Sequence, residues 1–230
     1  MQTNLTAEQY ECLYRDYLDI NQKHLLPKHL LELAGMKEGY RVLDLCAGPM
    51  ARASRAAIEM GASYVASVDI NPMILQIQGK TWTHAKVEPF CEDAYGYMEY
   101  AHIPKNEKFN IVICQQGINY WISPDSIGKL FGLMKREFSV FVFDTFNQEP
   151  PDKPNTKEYE IDGKKYVEMD WKIKDKIHHV QAVEDLPPHY TTMNWIDSDK
   201  LMKMCNDSHF NITVIRCGNN DTYICTKELK

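Results

Sequence analysis

Three acidic residues stand where an apolar run gives way to a turn: Asp44 in VLDLCAGPMARAS, Asp69 closing YVASVD, and Asp93, preceded by Glu92, after VEPFC. An ionised carboxylate accepts on both oxygens. Asp69 therefore suits two neighbouring ribose hydroxyls, and Asp93 suits the amino group of an adenine. The small-residue turn Cys46, Ala47, Gly48 leads into a helical pattern whose N-terminus can face an anion such as a carboxylate. Taken singly, each acid at a strand end is more often a helix cap. Their succession after three consecutive strands outlines an adenosine.

That reading requires elements that hold the acids at one edge. Arg41–Leu45, Tyr64–Asp69, Val87–Glu92, Phe109–Cys114 and Val140–Phe143 are short apolar runs with strand character. Between them Met50–Met60, Met73–Gly79, Ala94–His102 and Pro124–Lys135 carry helical patterns. This alternation implies parallel strands joined by right-handed crossovers, and ligands of such sheets lie outside the carboxyl ends of the strands, near the point where strand order reverses. Ahead of the first strand, Tyr10, Tyr14 and Tyr17 recur with Leu13 and Leu18 at helical spacing, and Pro27–Leu33 forms a second helix stopped by Gly35.

After Asn147 the stretch QEPPDKPN breaks any regular element. Tyr159–Ile161, Lys165–Ile173 and Lys176–Val183 then read as antiparallel strands, with Asp162-Gly163 as a hairpin turn. A helix starts at Ser198, and Ile212–Cys217 and Thr222–Thr226 close the chain as a hairpin around GNND. The expected architecture is α/β and Rossmann-like: a mostly parallel seven-stranded sheet with a C-terminal antiparallel hairpin and an antiparallel insertion after the fifth strand. A chain of 230 residues fits one domain, 1–230, carrying an N-terminal helical lid at 1–38 and an inserted substrate cap at 148–197.

Composition narrows the function classes. A formal net charge of -6 argues against affinity built on neutralised phosphates, so no nucleic-acid partner is expected. The lysines of Asp152–Lys176 are interleaved with acids, as on a solvated face. Seven scattered cysteines without Cys-x-x-Cys spacing read as reduced core thiols. Neither a secretion signal nor a long apolar stretch is visible, so the expected location is cytoplasmic with no membrane contact.

The segments VLDLCAGPM, SVDINPMIL, CEDAYGY and FNIVICQQGINYW resemble the successive motifs of the class I S-adenosylmethionine-dependent methyltransferases, over about Gly39 to Asn147. The family's first loop is usually E/D-x-G-x-G-x-G. Asp44 matches its acid and Gly48 its middle glycine, while Cys46 and Met50 replace the outer two, and Met50 adds bulk where the loop enters its helix. The resemblance implies S-adenosyl-L-methionine as cofactor and methyl transfer to an oxygen or nitrogen of a small molecule. It assigns Asp44, Cys46, Ala47 and Gly48 to the cofactor's amino-acid part, Asp69 to the ribose, Ile70 to the adenine face, Asp93 to the adenine amino group and Ala94 to a backbone N–H contact. Gln115 would lie near the sulfonium, Asn119, Tyr120 and Trp121 on the substrate side, and Tyr14 in a lid over the cofactor.

Methyl transfer from a sulfonium is an in-line displacement that needs alignment, exclusion of water and sometimes removal of a proton. Should a base be used, His178, His189 and Tyr120 are the candidate catalytic groups, with Trp171 and His179 as substrate contacts. Neighbours on a strand point to opposite faces, so at most one of His178 and His179 can face a pocket. Surface histidines on a hairpin, plain core packing for INYW and a plain core stripe for the tyrosines are the competing readings. A catalytic magnesium would need acids at the ends of both the fourth and fifth strands. Only Asp144 and Asn147 stand there, and the fourth strand ends in Gln115-Gln116, so no metal is expected. The first loop lacks the paired glycines of a dinucleotide site. Cys46 and Met50 keep one alternative open: a protein that binds the cofactor but runs a non-methylating reaction or none.

Overall fold

The computed structural model describes residues 27–100, 108–115, 117–121, 132, 138–161, 163–217 and 220–227. β1 (Arg41–Leu45) is buried over its last four residues, the mark of a strand covered on both faces. It pairs in parallel with β2 (Tyr64–Asp69) on one side and with β4 (Phe109–Cys114) on the other. β3 (Val87–Cys91) extends the sheet past β2, and β5 (Phe138–Phe146) extends it past β4, both in parallel. Beyond β5 the late strand β11 (Asn220–Lys227) runs antiparallel and pairs with β10 (Phe210–Cys217). The order is β10-β11-β5-β4-β1-β2-β3, so the chain builds outward in one direction from β1 and in the other from β4. The reversal point lies between those two strands.

Helices cover both faces. On one, α1 (Pro27–Leu33) and α2 (Arg52–Glu59) bury Leu30, Leu31 and Ala57 against Val42, Ile111 and Val142. On the other, α4 (Ala94–Tyr100) and α6 (Ser198–Asp207) bury Tyr97, Leu201 and Cys205 against Leu43, Phe141 and Tyr223. The remaining helices are α3 (Pro72–Thr81), capped by the Asn71 side chain, and the short α5 (Ile118–Trp121) after β4. No helix among the described residues is long and apolar enough to cross a membrane.

The expected mostly parallel seven-stranded sheet with its C-terminal antiparallel hairpin is present, with shifted element ends. α2 starts at Arg52 and not at Met50, because Ala51 (φ 45) is left-handed and a right-handed helix cannot run through it. β5 outruns Val140–Phe143 because Thr145 and Phe146 pair with Asp221 and Asn220. The expected helix Pro124–Lys135 lies, Gly132 apart, outside the described residues, as does the stretch bearing Tyr10, Tyr14 and Tyr17.

The segment after β5 forms a separate antiparallel sheet of four strands: β6 (Asn155–Ile161), β7 (Lys164–Ile173), β8 (Lys176–Val183) and β9 (His189–Asn194). Alternation divides its side chains. Glu168, Asp170, His179, Gln181, His189 and Thr191 share one face, the inner one, with Asp170 opposite His179 and His179 opposite Thr191. At one end of this face Ile161, Tyr166 and Val183 pack against Ile74 and Ile77 of α3. At the other, buried Asn119 of α5 donates to the Asn194 carbonyl of β9 (3.1 Å) and exchanges hydrogen bonds with Thr145 of β5. The second sheet is thereby fixed over the carboxyl ends of the first.

Candidate functional site

Between the two sheets lies a cavity of about 850 Å³. Its floor is the β1–α2 loop together with the ends of β2, β3 and β4. Asp44, 2% exposed, accepts from the Ser54 N–H (2.9 Å) and the Ser54 hydroxyl (2.7 Å), both at Oδ2. It thus caps α2 from another element, since Ala51 at the helix start offers no side-chain acceptor. Burial pushes the Asp44 carboxyl up to about 7, against the opposing pull of the Ser54 bonds.

Asp69 accepts from the Gly48 N–H (3.1 Å) and the Asn71 N–H (3.0 Å), one at each oxygen, and its burial raises it above the ordinary carboxylate range. Gln78 donates to the Gly48 carbonyl, so the loop is held from both sides. Asp93 caps α4 by accepting from the Tyr95 (2.9 Å) and Gly96 (3.0 Å) N–H groups. Asp44 and Asp93 therefore do the helix-capping work that each alone suggested, whereas Asp69 ties the β1–α2 loop to the turn before α3, whose cap is Asn71. All three also line one cavity, which the bland reading did not require.

Cys46, Ala47, Gly48, Ile70, Ala94 and Gln115 line the same floor, and the Ile70 side chain is 69% exposed there. Cys46 fits its left-handed turn because Gly117 faces it. A Cβ on Gly117 would stand 2.4 Å from the Cys46 Cβ.

The opposite wall is the inner face of the second sheet. His179, 7% exposed, makes a 2.5 Å hydrogen bond through Nδ1 with Asp170, and Glu168 stands 3.9 Å from the same nitrogen. Burial opposes a charged imidazole, but the bond to Asp170 and the two carboxylate charges prevail and raise the His179 pKa. His189, Asn119 and Tyr120 also line the cavity. Trp121 ends α5.

His178 and Trp171 do not line it. They stack on each other on the outer face, ring centroids 5.3 Å apart, where His178 also bonds the Tyr190 hydroxyl. Strand parity puts them there: once His179 points inward, His178 cannot. Five wall residues are not singled out by the sequence: Glu168, Asp170, Gln181, Thr191 and Met193. The spacing of Glu168 and Asp170 places both on one face of a strand, but only the pairing register sets them against His179.

No protein-family model matches the chain, and no curated protein matches it by sequence. Solved structures do match in shape. An S-adenosylmethionine-dependent methyltransferase from Clostridium acetobutylicum superposes with a TM-score of 0.72 at 17% identity, over 96% of this chain and 97% of its own. An amino pentose methyltransferase from Micromonospora echinaspora, with S-adenosylmethionine bound, gives 0.69 at 12% identity over 99% and 100%. The CcbJ methyltransferase from Streptomyces caelestis gives 0.69 at 14% identity over 88% and 89%. The fold built on the sheet order β10-β11-β5-β4-β1-β2-β3 thus has counterparts among known structures. The fold of this chain is that of the S-adenosylmethionine-dependent methyltransferases.

Proposed function

We propose that the protein is a methyltransferase that binds S-adenosyl-L-methionine on the cavity floor and methylates an oxygen or nitrogen of a small organic acceptor held under the second sheet. The observation that carries this reading is the convergence of Asp44, Asp69 and Asp93, from three strand ends, on a cavity whose facing wall is a different polar surface. The floor suits the cofactor. Asp44 is a buried acid with a raised pKa, the environment that a ligand's ammonium group would relieve. Open space above Gly48, where a Cβ would meet nothing within 4 Å, lets a ligand approach the backbone. Ile70 offers an exposed apolar side chain to a flat ring.

Bound there, the cofactor would supply an electrophilic methyl group on a sulfonium. Asp44 with Cys46, Ala47 and Gly48 would hold its amino-acid end, Asp69 the ribose, and Asp93 with Ala94 the adenine edge. Gln115 would mark the passage toward the acceptor. Asn119, Tyr120, His179 and His189 would orient the acceptor, and the segment 148–197 would act as the cap that shuts out water. Of the similar structures, one is an amino pentose methyltransferase and another a glycopeptide N-methyltransferase, which supports a small-molecule acceptor.

The test is product analysis. Incubation with S-adenosylmethionine carrying a deuterated methyl group and pooled amino sugars, amines and polyhydroxylated metabolites should yield a product bearing that methyl. Cofactor binding by calorimetry with no labelled product from any pool would favour the non-methylating alternative.

A further inference from the structure

The acceptor wall holds a cluster that cofactor binding does not use. We propose that Glu168, Asp170 and His179 form a binding site for a divalent transition-metal cation of the zinc or manganese class, facing the cavity. Alternate residues of β7 place both carboxylates on the inner face, and the register sets Asp170 directly across from His179. One donor atom from each of the three lies within 4.8 Å of the others. Ligands of one such ion sit about 2.0–2.2 Å from it, hence no more than about twice that apart. The His179 Nδ1 stands 3.9 Å from a Glu168 oxygen, within that span; its 2.5 Å hydrogen bond to Asp170 is shorter than two ligands of one ion allow, so the proton would leave and the pair open by roughly 0.5–1 Å as the ion enters.

Two carboxylates and an imidazole match a borderline divalent ion in charge and donor type. A second observation is independent of them. Thr191 stands across from His179 on the same face and lines the cavity at 1% exposure, yet its hydroxyl has no hydrogen-bond partner among the described residues. A buried hydroxyl of this kind points to a ligand or ligand-bound water beside the cluster. Gln181 bonds His179 and would steady the ring, as outer partners of metal-bound histidines do.

Three protein ligands leave coordination positions open toward the cavity, the arrangement of a reactive and not a closed structural site. An oxygen of the acceptor would fill one of them and so be held against the cofactor floor. The lack of paired acids at the ends of β4 and β5 does not bear on this wall.

The test uses the full chain dialysed against a chelator and titrated separately with Zn²⁺ and Mn²⁺, by calorimetry and, for Mn²⁺, by electron paramagnetic resonance. One ion per chain is expected. Glu168→Gln and Asp170→Asn should each weaken it at least roughly tenfold, whereas His178→Ala on the outer face should not. The near-isosteric Glu168→Gln covers the case in which a His179 variant misfolds. Absence of binding, or equal binding by the wild type and both carboxamide variants, overturns the proposal. So does methylammonium binding that the same variants abolish when neither metal binds, which would make the cluster an amine subsite. S-adenosylhomocysteine binding, measured on the same samples, reports separately on the cofactor floor.

Discussion

Asp44 ties ligand affinity to pH. Its carboxyl sits at about 7 in the fold, raised from an ordinary 3.8 mainly by burial. A raised acid favours the folded state while protonated, so this contribution is full below 3.8 and lost as pH climbs through about 7. Above that range the empty site carries a buried anion that a ligand ammonium would neutralise. S-adenosylhomocysteine should therefore raise the melting temperature more at pH 8 than at pH 6, and binding near pH 6.5 should release a proton, seen as a buffer-dependent enthalpy. Equal shifts at both values would remove Asp44 from the ammonium contact. Gly117 offers a second test. An alanine there would drive its Cβ to 2.4 Å from the Cys46 Cβ and 2.9 Å from its sulfur. Gly117→Ala should lower both stability and cofactor affinity, and Cys46→Gly in the same chain should restore them, a coupling that a double-mutant cycle measures. The sequence shows Cys46 in place of the usual glycine. It does not show that the compensating glycine lies at the start of α5, because that requires α5 to turn back onto the β1 loop.

At the scale of elements, strand parity divides the histidines of the insertion. His178→Ala and Trp171→Ala change a stack on the outer face and should alter kcat/KM by no more than about twofold. His189→Ala, on the inner wall, should reduce turnover while leaving S-adenosylhomocysteine affinity unchanged; steady-state kinetics beside calorimetry check both. β8 was legible because Ile177 and Val183 bracket its inner face with apolar residues. β9 was not. Its inward positions are His189, Thr191 and Met193, largely polar because they face a polar cavity, so the hydrophobic alternation that reveals a half-buried strand is absent. The parallel strands posed no such difficulty, since Val42, Leu43 and Leu45 in β1 meet helices on both sides and are buried throughout.

For the whole molecule, the cavity exists only while the two sheets hold their spacing, which the apolar cluster on α3 and the Asn119 bonds from α5 maintain at its two ends. Tyr166, 1% exposed, is the cluster's largest member. Tyr166→Ala should lower unfolding stability by about 3–5 kcal/mol and raise the acceptor KM more than the cofactor Kd, as denaturant titration and kinetics will show. The layered fold was legible from the alternation of strand and helix. The seating of the insertion was not, because Ile74 and Ile77, spaced as one helix face, read equally as a stripe turned toward the parent sheet. The antiparallel partner of β5 has a consequence for synthesis on the ribosome. β6 to β9 close hairpin by hairpin as they emerge, but the open edge of β5, with Phe141 and Phe143, waits for Asn220–Lys227. A nascent chain halted near His209 would present a long apolar edge ready to pair with its neighbours. Fragments ending there should sediment or bind a chaperone, and fragments reaching Lys227 should remain in the supernatant.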